Sequence, residues 1–89
     1  MKAIVSVLGP DRIGIIAEIC TILAEKNINI IDISQTVMDR FFSMTMLVDT
    51  EAINCSFDEL IALFSAKGKE MGLSIRIQRE DIFKAMHQI

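Results

Sequence analysis

The sequence is poor in the residues that carry most protein chemistry. Its 89 residues include two cysteines, one proline and one histidine, and no tryptophan or tyrosine. Zinc sites and nucleophile–base pairs need clusters of histidine, cysteine or carboxylate side chains. His87 stands alone near the end of the chain, and Cys20 and Cys55 are far apart with no C-x-x-C spacing. We therefore expect no metal, no cofactor and no catalytic residues.

The sequence also lacks an excess of positive charge and any long apolar run. Nine basic against twelve acidic residues give a net charge of −3, the wrong sign for nucleic acid or an anionic membrane. No apolar run approaches the ~18 residues of a membrane span. The residues before Gly9-Pro10 are too few for a signal peptide, and two isolated cysteines suit a reducing compartment. We expect a cytoplasmic protein without a nucleic-acid or membrane partner.

Apolar residues, in contrast, are abundant. They make up 52% of the chain, against a usual ~45–50%. A chain of this length forms one domain and buries only roughly 60–65% of its unfolded surface. The sequence predicts a single domain over 1–89, with a core over 1–79 and a tail over 80–89. Because so much apolar surface must be covered, self-association is expected.

The first half of the chain predicts a strand, a helix and a β-hairpin. The β-branched run Lys2–Leu8 stops at Gly9-Pro10, and Asp11 stands where a helix N-cap is expected. Apolar residues then recur with helical spacing at positions 13, 16, 17, 20, 23 and 24, with a second row at 15, 19 and 22. Asn29–Met38 and Phe41–Asp49 alternate as strands around an Asp39-Arg40 turn, with Ile31, Ile33 and Val37 on one face.

The second half predicts a helix, a strand and a short closing helix. Ser56 and Glu59 form a capping box, and Gly72 is the expected C-cap. The strand that follows has Leu73, Ile75 and Ile77 on one side, and Glu80–Ile89 is predicted as a closing helix. The predicted buried stripe of the second helix consists of Phe57, Leu60, Ile61, Phe64, Gly68 and Met71.

The order βαββαβ predicts an α+β fold, a ferredoxin-like sandwich. Connection rules favour a four-stranded antiparallel sheet with both helices on one face. The second and fourth strands then lie at the edges of the sheet. The second is long and contains no proline or lysine to block edge pairing, so we expect it to pair with its own copy.

The turn Gly9–Gly14 is the stretch that most favours a binding site. It leads from a strand into a helix N-terminus, where free amides and the helix dipole can hold a carboxylate. Gly14 inside a helix costs about 1 kcal/mol relative to alanine, which favours close packing or ligand approach. A purely structural interpretation also stands: Asp11 caps the helix, and Gly14 lets it pack closely.

Two stretches, Pro10–Ala17 and Ala24–Ile30, resemble the ACT domain family. That family combines a D/N-R-x-G-hydrophobic turn with an N-I-N-I stretch that leads into the second strand. The resemblance covers residues 1 to about 79 and is greatest to small stand-alone bacterial ACT proteins related to glycine-cleavage repressors. It implies a regulatory domain that senses an amino acid, acts as a homodimer and signals to a separate regulated protein.

The resemblance also implies where the ligand binds. ACT domains typically hold an amino acid between the first turn of one copy and the second strand of the other. Carried over to this chain, the ligand-binding candidates are Asp11, Arg12, Ile13, Gly14 and Asn29. Asp11 stands where well-known amino-acid-binding members have asparagine, which implies a different specificity or a loss of binding. Ile13 replaces a common proline.

Three other functions are alternatives, and the first two belong to folds with the same order of elements. An RNA-recognition domain is excluded because the first strand has no aromatic residue and the net charge is negative. An acylphosphatase-like enzyme fits Arg12 and Asn29 in outline, but the glycine-rich V-Q-G-V-type loop is missing. A protein-interaction module without a small ligand remains open.

Overall fold

The chain folds in the order strand, helix, strand, strand, helix, strand, as predicted. The structure, a computed structural model, describes residues 1–82. Residues 80–82 are helical, and the rest of the expected closing helix lies outside the described residues. The elements are β1 (Lys2–Pro10), α1 (Ile15–Glu25), β2 (Asn29–Met38), β3 (Phe41–Asp49), α2 (Phe57–Met71) and β4 (Ser74–Arg79).

The four strands form one antiparallel sheet in the order β2-β3-β1-β4. This confirms the α+β, ferredoxin-like sandwich and places β2 and β4 at the edges. The alternation in the sequence sets the two faces: Ala3, Val5 and Val7 of β1 are buried, while their neighbours Ile4, Ser6 and Leu8 are not. Both helices pack on the buried face. The core comprises Ala3, Val5, Val7, Ile15, Ile19, Ile22, Leu23, Ile28, Phe42, Met44, Met46, Val48, Leu60, Phe64, Met71, Leu73, Ile75 and Ile77.

Helix α1 begins later than predicted, and of its two apolar rows it buries mainly the second. Asp11 is not its cap: the N-cap is Gly14, with a φ of 92° and no side-chain cap hydrogen bond. Of the row that starts at Ile13, only Leu23 is buried, and Ile13 itself is 98% exposed. The second row faces the sheet, and its three residues Ile15, Ile19 and Ile22 are all buried. A helix that is apolar on most of its circumference leaves this choice to tertiary packing.

Helix α2 begins and ends as predicted. The Glu59 amide donates to Ser56 Oγ at 3.1 Å, and Gly72 is the C-cap with a φ of 72°. The predicted stripe was wrong at one position, since Ile61 is 42% exposed. Ile61 is the residue after Leu60 and so lies about 100° further around the helix. Of these two side chains, only that of Leu60 points toward the sheet.

Strand β2 is joined to β3 by the predicted turn at Asp39-Arg40, but it is irregular. The register with β3 shifts between Ile30 and Asp32, so one additional residue bulges there. The Ile33 amide donates to Asp32 Oδ1 at 2.9 Å. A bulge and a carboxylate at the edge both oppose strand pairing. The expectation of an unprotected edge was therefore wrong for the first part of β2.

Candidate functional site

The turn between β1 and α1 is fixed by a bond to the β2–β3 turn. The Asp11 amide donates to the carbonyl oxygen of Arg40 at 2.8 Å. This bond extends the pairing of Pro10 with Phe41 by one residue. Asp11 therefore continues the edge of the sheet, and helix α1 begins only after Gly14.

Gly14 is required for its backbone conformation rather than for close packing. Its φ of 92° is rarely adopted by L-amino acids, and a Cβ built on it has no atom within 4 Å. The first bond of α1 runs from the Glu18 amide to the Gly14 carbonyl at 3.0 Å. The three amides that precede it, those of residues 15–17, have no carbonyl partner within the helix. They form the positive end of the helix dipole.

An open cavity of about 550 Å³ lies between this turn and β2. Its lining comprises Asp11, Arg12, Gly14, Ile15, Ile16, Ala17, Gln35, Val37 and Phe42. The structure thus brings together three of the five predicted site residues: Asp11, Arg12 and Gly14. It adds Gln35 and Val37, which sequence reasoning missed. The one available signal was Gln35 itself, the polar residue that separates Ile33 and Val37 on one face of β2.

The other two predicted residues lie elsewhere in a single chain. Ile13 is exposed to solvent and does not line the cavity. Asn29 lines a different cavity, of about 340 Å³, together with Ala24, Asn27, Ile28 and Ala52. Asn29 and Met38 are at opposite ends of β2, roughly 25–30 Å apart at about 3.3 Å per residue. Asn29 therefore cannot contact a ligand held by Asp11 of the same chain.

The charge beside the cavity is distributed over a small network. Arg12 Nη2 lies 3.2 Å from Glu18 Oε2, and Lys67 Nζ lies 3.4 Å from the other oxygen of that carboxylate. The Arg12 side chain is about half exposed, so solvent screens this pair and the bond is weak. An anion in the cavity can compete with Glu18 for the guanidinium. Within residues 1–82 no cluster of histidine, cysteine and carboxylate groups is suited to a metal ion.

The fold and the cavity together define a class: ferredoxin-like domains with a ligand-sized cavity beside the first strand–helix turn. Residues 2–78 match the family model described as the ACT domain. The chain belongs to the ACT domain family. A UPF0237 protein of Listeria monocytogenes is 47% identical over 89 residues, which is all of this chain and all of that one.

Solved structures agree with this assignment. An ACT domain protein from Streptococcus pneumoniae superposes with a TM-score of 0.82 at 40% identity, covering 94% of each chain. A putative glycine cleavage system transcriptional repressor superposes with a TM-score of 0.75 at 21% identity, over 86% of this chain and 44% of that one. At this lower identity the likeness shows the fold alone. No helix in the described part of the chain has the length and hydrophobicity to span a membrane.

Proposed function

We propose that this chain is a regulatory domain that binds a small zwitterionic ligand, an amino acid, in the cavity between the β1–α1 turn and β2. It works as a homodimer and acts on a separate protein. The observation that carries the proposal is the cavity itself, which joins Asp11, Arg12 and the start of α1 in one concave surface. Its volume of about 550 Å³ lies within the ~300–1,000 Å³ of small-molecule sites.

The groups around the cavity match both charges of an amino acid. The Asp11 carboxylate accepts hydrogen bonds from an ammonium group, and charge-assisted bonds of this kind are the stronger ones. The free amides of residues 15–17 and the Arg12 guanidinium offer donors to a carboxylate. The apolar side chains of Ile16 and Val37 line the same space and suit an aliphatic or small side chain.

The dimer is supported by the exposure of β2. Nine of its ten residues are exposed, and they include Ile31, Ile33, Val37 and Met38. An exposed apolar surface of this kind on an edge strand is typical of a site that another protein surface covers.

A thermal-shift panel of the twenty amino acids tests the ligand. A ligand at a hundredfold excess over its Kd stabilises the folded protein by about 2.7 kcal/mol, which is roughly 10–20 °C for a domain of this size. We expect one or a few amino acids to raise the Tm. Asp11→Ala should abolish the rise, while Glu51→Ala, which removes the same charge from an exposed turn distant from the cavity, should keep it. A panel without any shift would refute the ligand.

A second candidate is a protein-interaction module without a small ligand. It is favoured by three exposed apolar side chains near one end of the sheet face that the helices leave open: Leu8, Met38 and Phe41. A panel without shifts, combined with loss of partner binding in Phe41→Arg, would favour this candidate over amino-acid binding.

A further inference from the structure

A chain of four charged side chains joins the β1–α1 turn to α2. Arg12 Nη2 lies 3.2 Å from Glu18 Oε2, and Lys67 Nζ lies 3.4 Å from Glu18 Oε1. Lys67 Nζ also lies 3.7 Å from Oε1 of Glu70, three residues further along α2. The Glu18 carboxylate is thus shared between a cation of the turn and a cation of α2.

Glu18 stands between two concave surfaces. Arg12 lines the cavity of the proposed ligand, whereas Glu18 and Lys67 line a separate groove of about 300 Å³ between α1 and α2. Ala17, the residue before Glu18, lines both. The contact between Arg12 and Glu18 therefore connects the ligand cavity to the groove between the helices.

Glu18 uses the same positive charges that a ligand carboxylate would use. One is the Arg12 guanidinium, and the other is the N-terminal end of α1, because Glu18 lies in the first turn of that helix, where the dipole favours negative charge. A ligand carboxylate that takes Arg12 leaves Glu18, whose side chain is 35% exposed, without that cation. Lys67 can then hold Glu18 alone, since its ammonium is already in contact and carries three donors.

We propose that Glu18 is an internal competitor of the ligand and that Lys67 is the partner that releases it. When a ligand carboxylate binds Arg12, the Glu18 carboxylate transfers from Arg12 to Lys67. Glu18 and Lys67 are positioning residues, because they act on the ligand through Arg12. This inference rests on the proposed function, since it specifies how the affinity of the same cavity is set.

The two residues affect ligand binding in opposite directions. Glu18 stabilises the free form by holding Arg12, so neutralising Glu18 should tighten binding. Lys67 stabilises the carboxylate that the ligand displaces, so removing Lys67 should weaken binding. Because coupling is reciprocal, a bound ligand also strengthens the pair between Glu18 and Lys67 and thereby ties α1 to α2.

Calorimetric titration with L-alanine tests both directions. L-alanine carries an ammonium and a carboxylate group on a side chain of one methyl group, so its binding depends mainly on the charged groups. Exposed ion pairs change an equilibrium constant by roughly 1.5- to 5-fold, so Glu18→Gln should lower the Kd about threefold and Lys67→Met should raise it about threefold. Glu25→Gln and Lys69→Met remove the same charges from other positions of the two helices and should leave the Kd unchanged.

A double variant tests whether Lys67 acts through Glu18. In the Glu18→Gln background, Lys67→Met should have no further effect on the Kd, as a double-mutant cycle would show. Lys67→Arg, which keeps the positive charge, should retain the wild-type Kd. A Lys67→Met effect of the same size in both backgrounds would indicate a general effect of charge and would overturn the proposal.

A probe without a carboxylate tests the competition itself. L-alaninamide keeps the ammonium and the methyl group of L-alanine but cannot displace Glu18 from Arg12. Its Kd should therefore not fall in Glu18→Gln. An equal gain for L-alanine and L-alaninamide would show that Glu18 does not compete with the ligand carboxylate.

The transfer of Glu18 can also be observed without any amino acid. Arg12→Gln removes the guanidinium and leaves Lys67 as the cation beside Glu18, as a bound ligand would. In ¹H–¹⁵N NMR, the exchange of the Lys67 ammonium protons with water should slow about twofold in Arg12→Gln, a weak-pair effect, and should accelerate in Glu18→Gln. Unchanged exchange in Arg12→Gln would overturn the transfer.

Failure of this inference and failure of the proposed function give different results. If no amino acid binds but the Lys67 protons respond as expected, the ligand is refuted and the transfer of Glu18 stands. If L-alanine binds wild type, Glu18→Gln and Lys67→Met with one Kd, the ligand stands and the competition is refuted.

Discussion

Gly68 in α2 offers a prediction in which two effects oppose each other. Replacing a glycine inside a helix by alanine ordinarily stabilises it by about 1 kcal/mol. Here a Cβ would lie 2.6 Å from the backbone carbonyl oxygen of Leu73. Leu73, which directly precedes β4, is also bonded to the helix: its amide donates to the Gly68 carbonyl at 2.8 Å. The helix and β4 cannot separate to make room without straining that bond.

The magnitude follows from these terms. Forcing a methyl group into a packed contact costs about 1–3 kcal/mol, and weakening the Leu73 bond adds about 1 kcal/mol. After subtraction of the helix-propensity gain, we expect Gly68→Ala to lower the free energy of unfolding by about 2 kcal/mol. For a domain of this size that is a Tm decrease of roughly 8–16 °C.

Thermal and urea denaturation at one fixed protein concentration would measure this, since a self-associating protein has a Tm that depends on concentration. The matched control is Ser65→Ala, an exposed position in the same helix, which should be neutral or slightly stabilising. A Gly68→Ala protein as stable as wild type would refute the close contact between α2 and β4.

Three further substitutions should change stability, each measured by urea denaturation. Gly14→Ala should cost about 1–2 kcal/mol because of the positive φ, and Gly14→Asn less; equal losses would contradict a conformational cause. Ser56→Ala should cost about 1 kcal/mol by removing the acceptor for the Glu59 amide. Ser56→Asp, which supplies another acceptor, should retain most of the stability of wild type. Phe64→Ala should cost about 3–5 kcal/mol because the side chain is fully buried, and a loss below 1 kcal/mol would show that the core rearranges there.

The fold could be predicted because its strongest signals are local. The strict alternation in β3 and β4 and the Ser56 cap of α2 are each contained within a few residues, and each agrees with the structure. The face of α1 could not be predicted in this way. Both Ile13–Ile16–Cys20 and Ile15–Ile19–Ile22 have helical spacing, and only the position of the sheet decides between them.

Of the residues that line the cavity, only those in the sequence motif of the β1–α1 turn could be predicted. Asp11, Arg12 and Gly14 follow one another in sequence, so one turn brings them together. Gln35 and Val37 reach the same cavity through the β2–β3 hairpin, a contact that spans more than twenty residues. The start of α1 was mispredicted for a related reason: the bond from the Asp11 amide to Arg40 continues the strand ladder through Asp11, and the helix begins only after Gly14.

The bond between Asp11 and Arg40 has a consequence for local opening of the molecule. It joins the first loop of the chain to the tip of the hairpin, so each segment stabilises the other. Segments linked in this manner open as one cooperative unit in hydrogen exchange. A ligand that occupies the cavity would therefore slow amide hydrogen exchange both in the first loop and at the hairpin tip, which is remote in sequence.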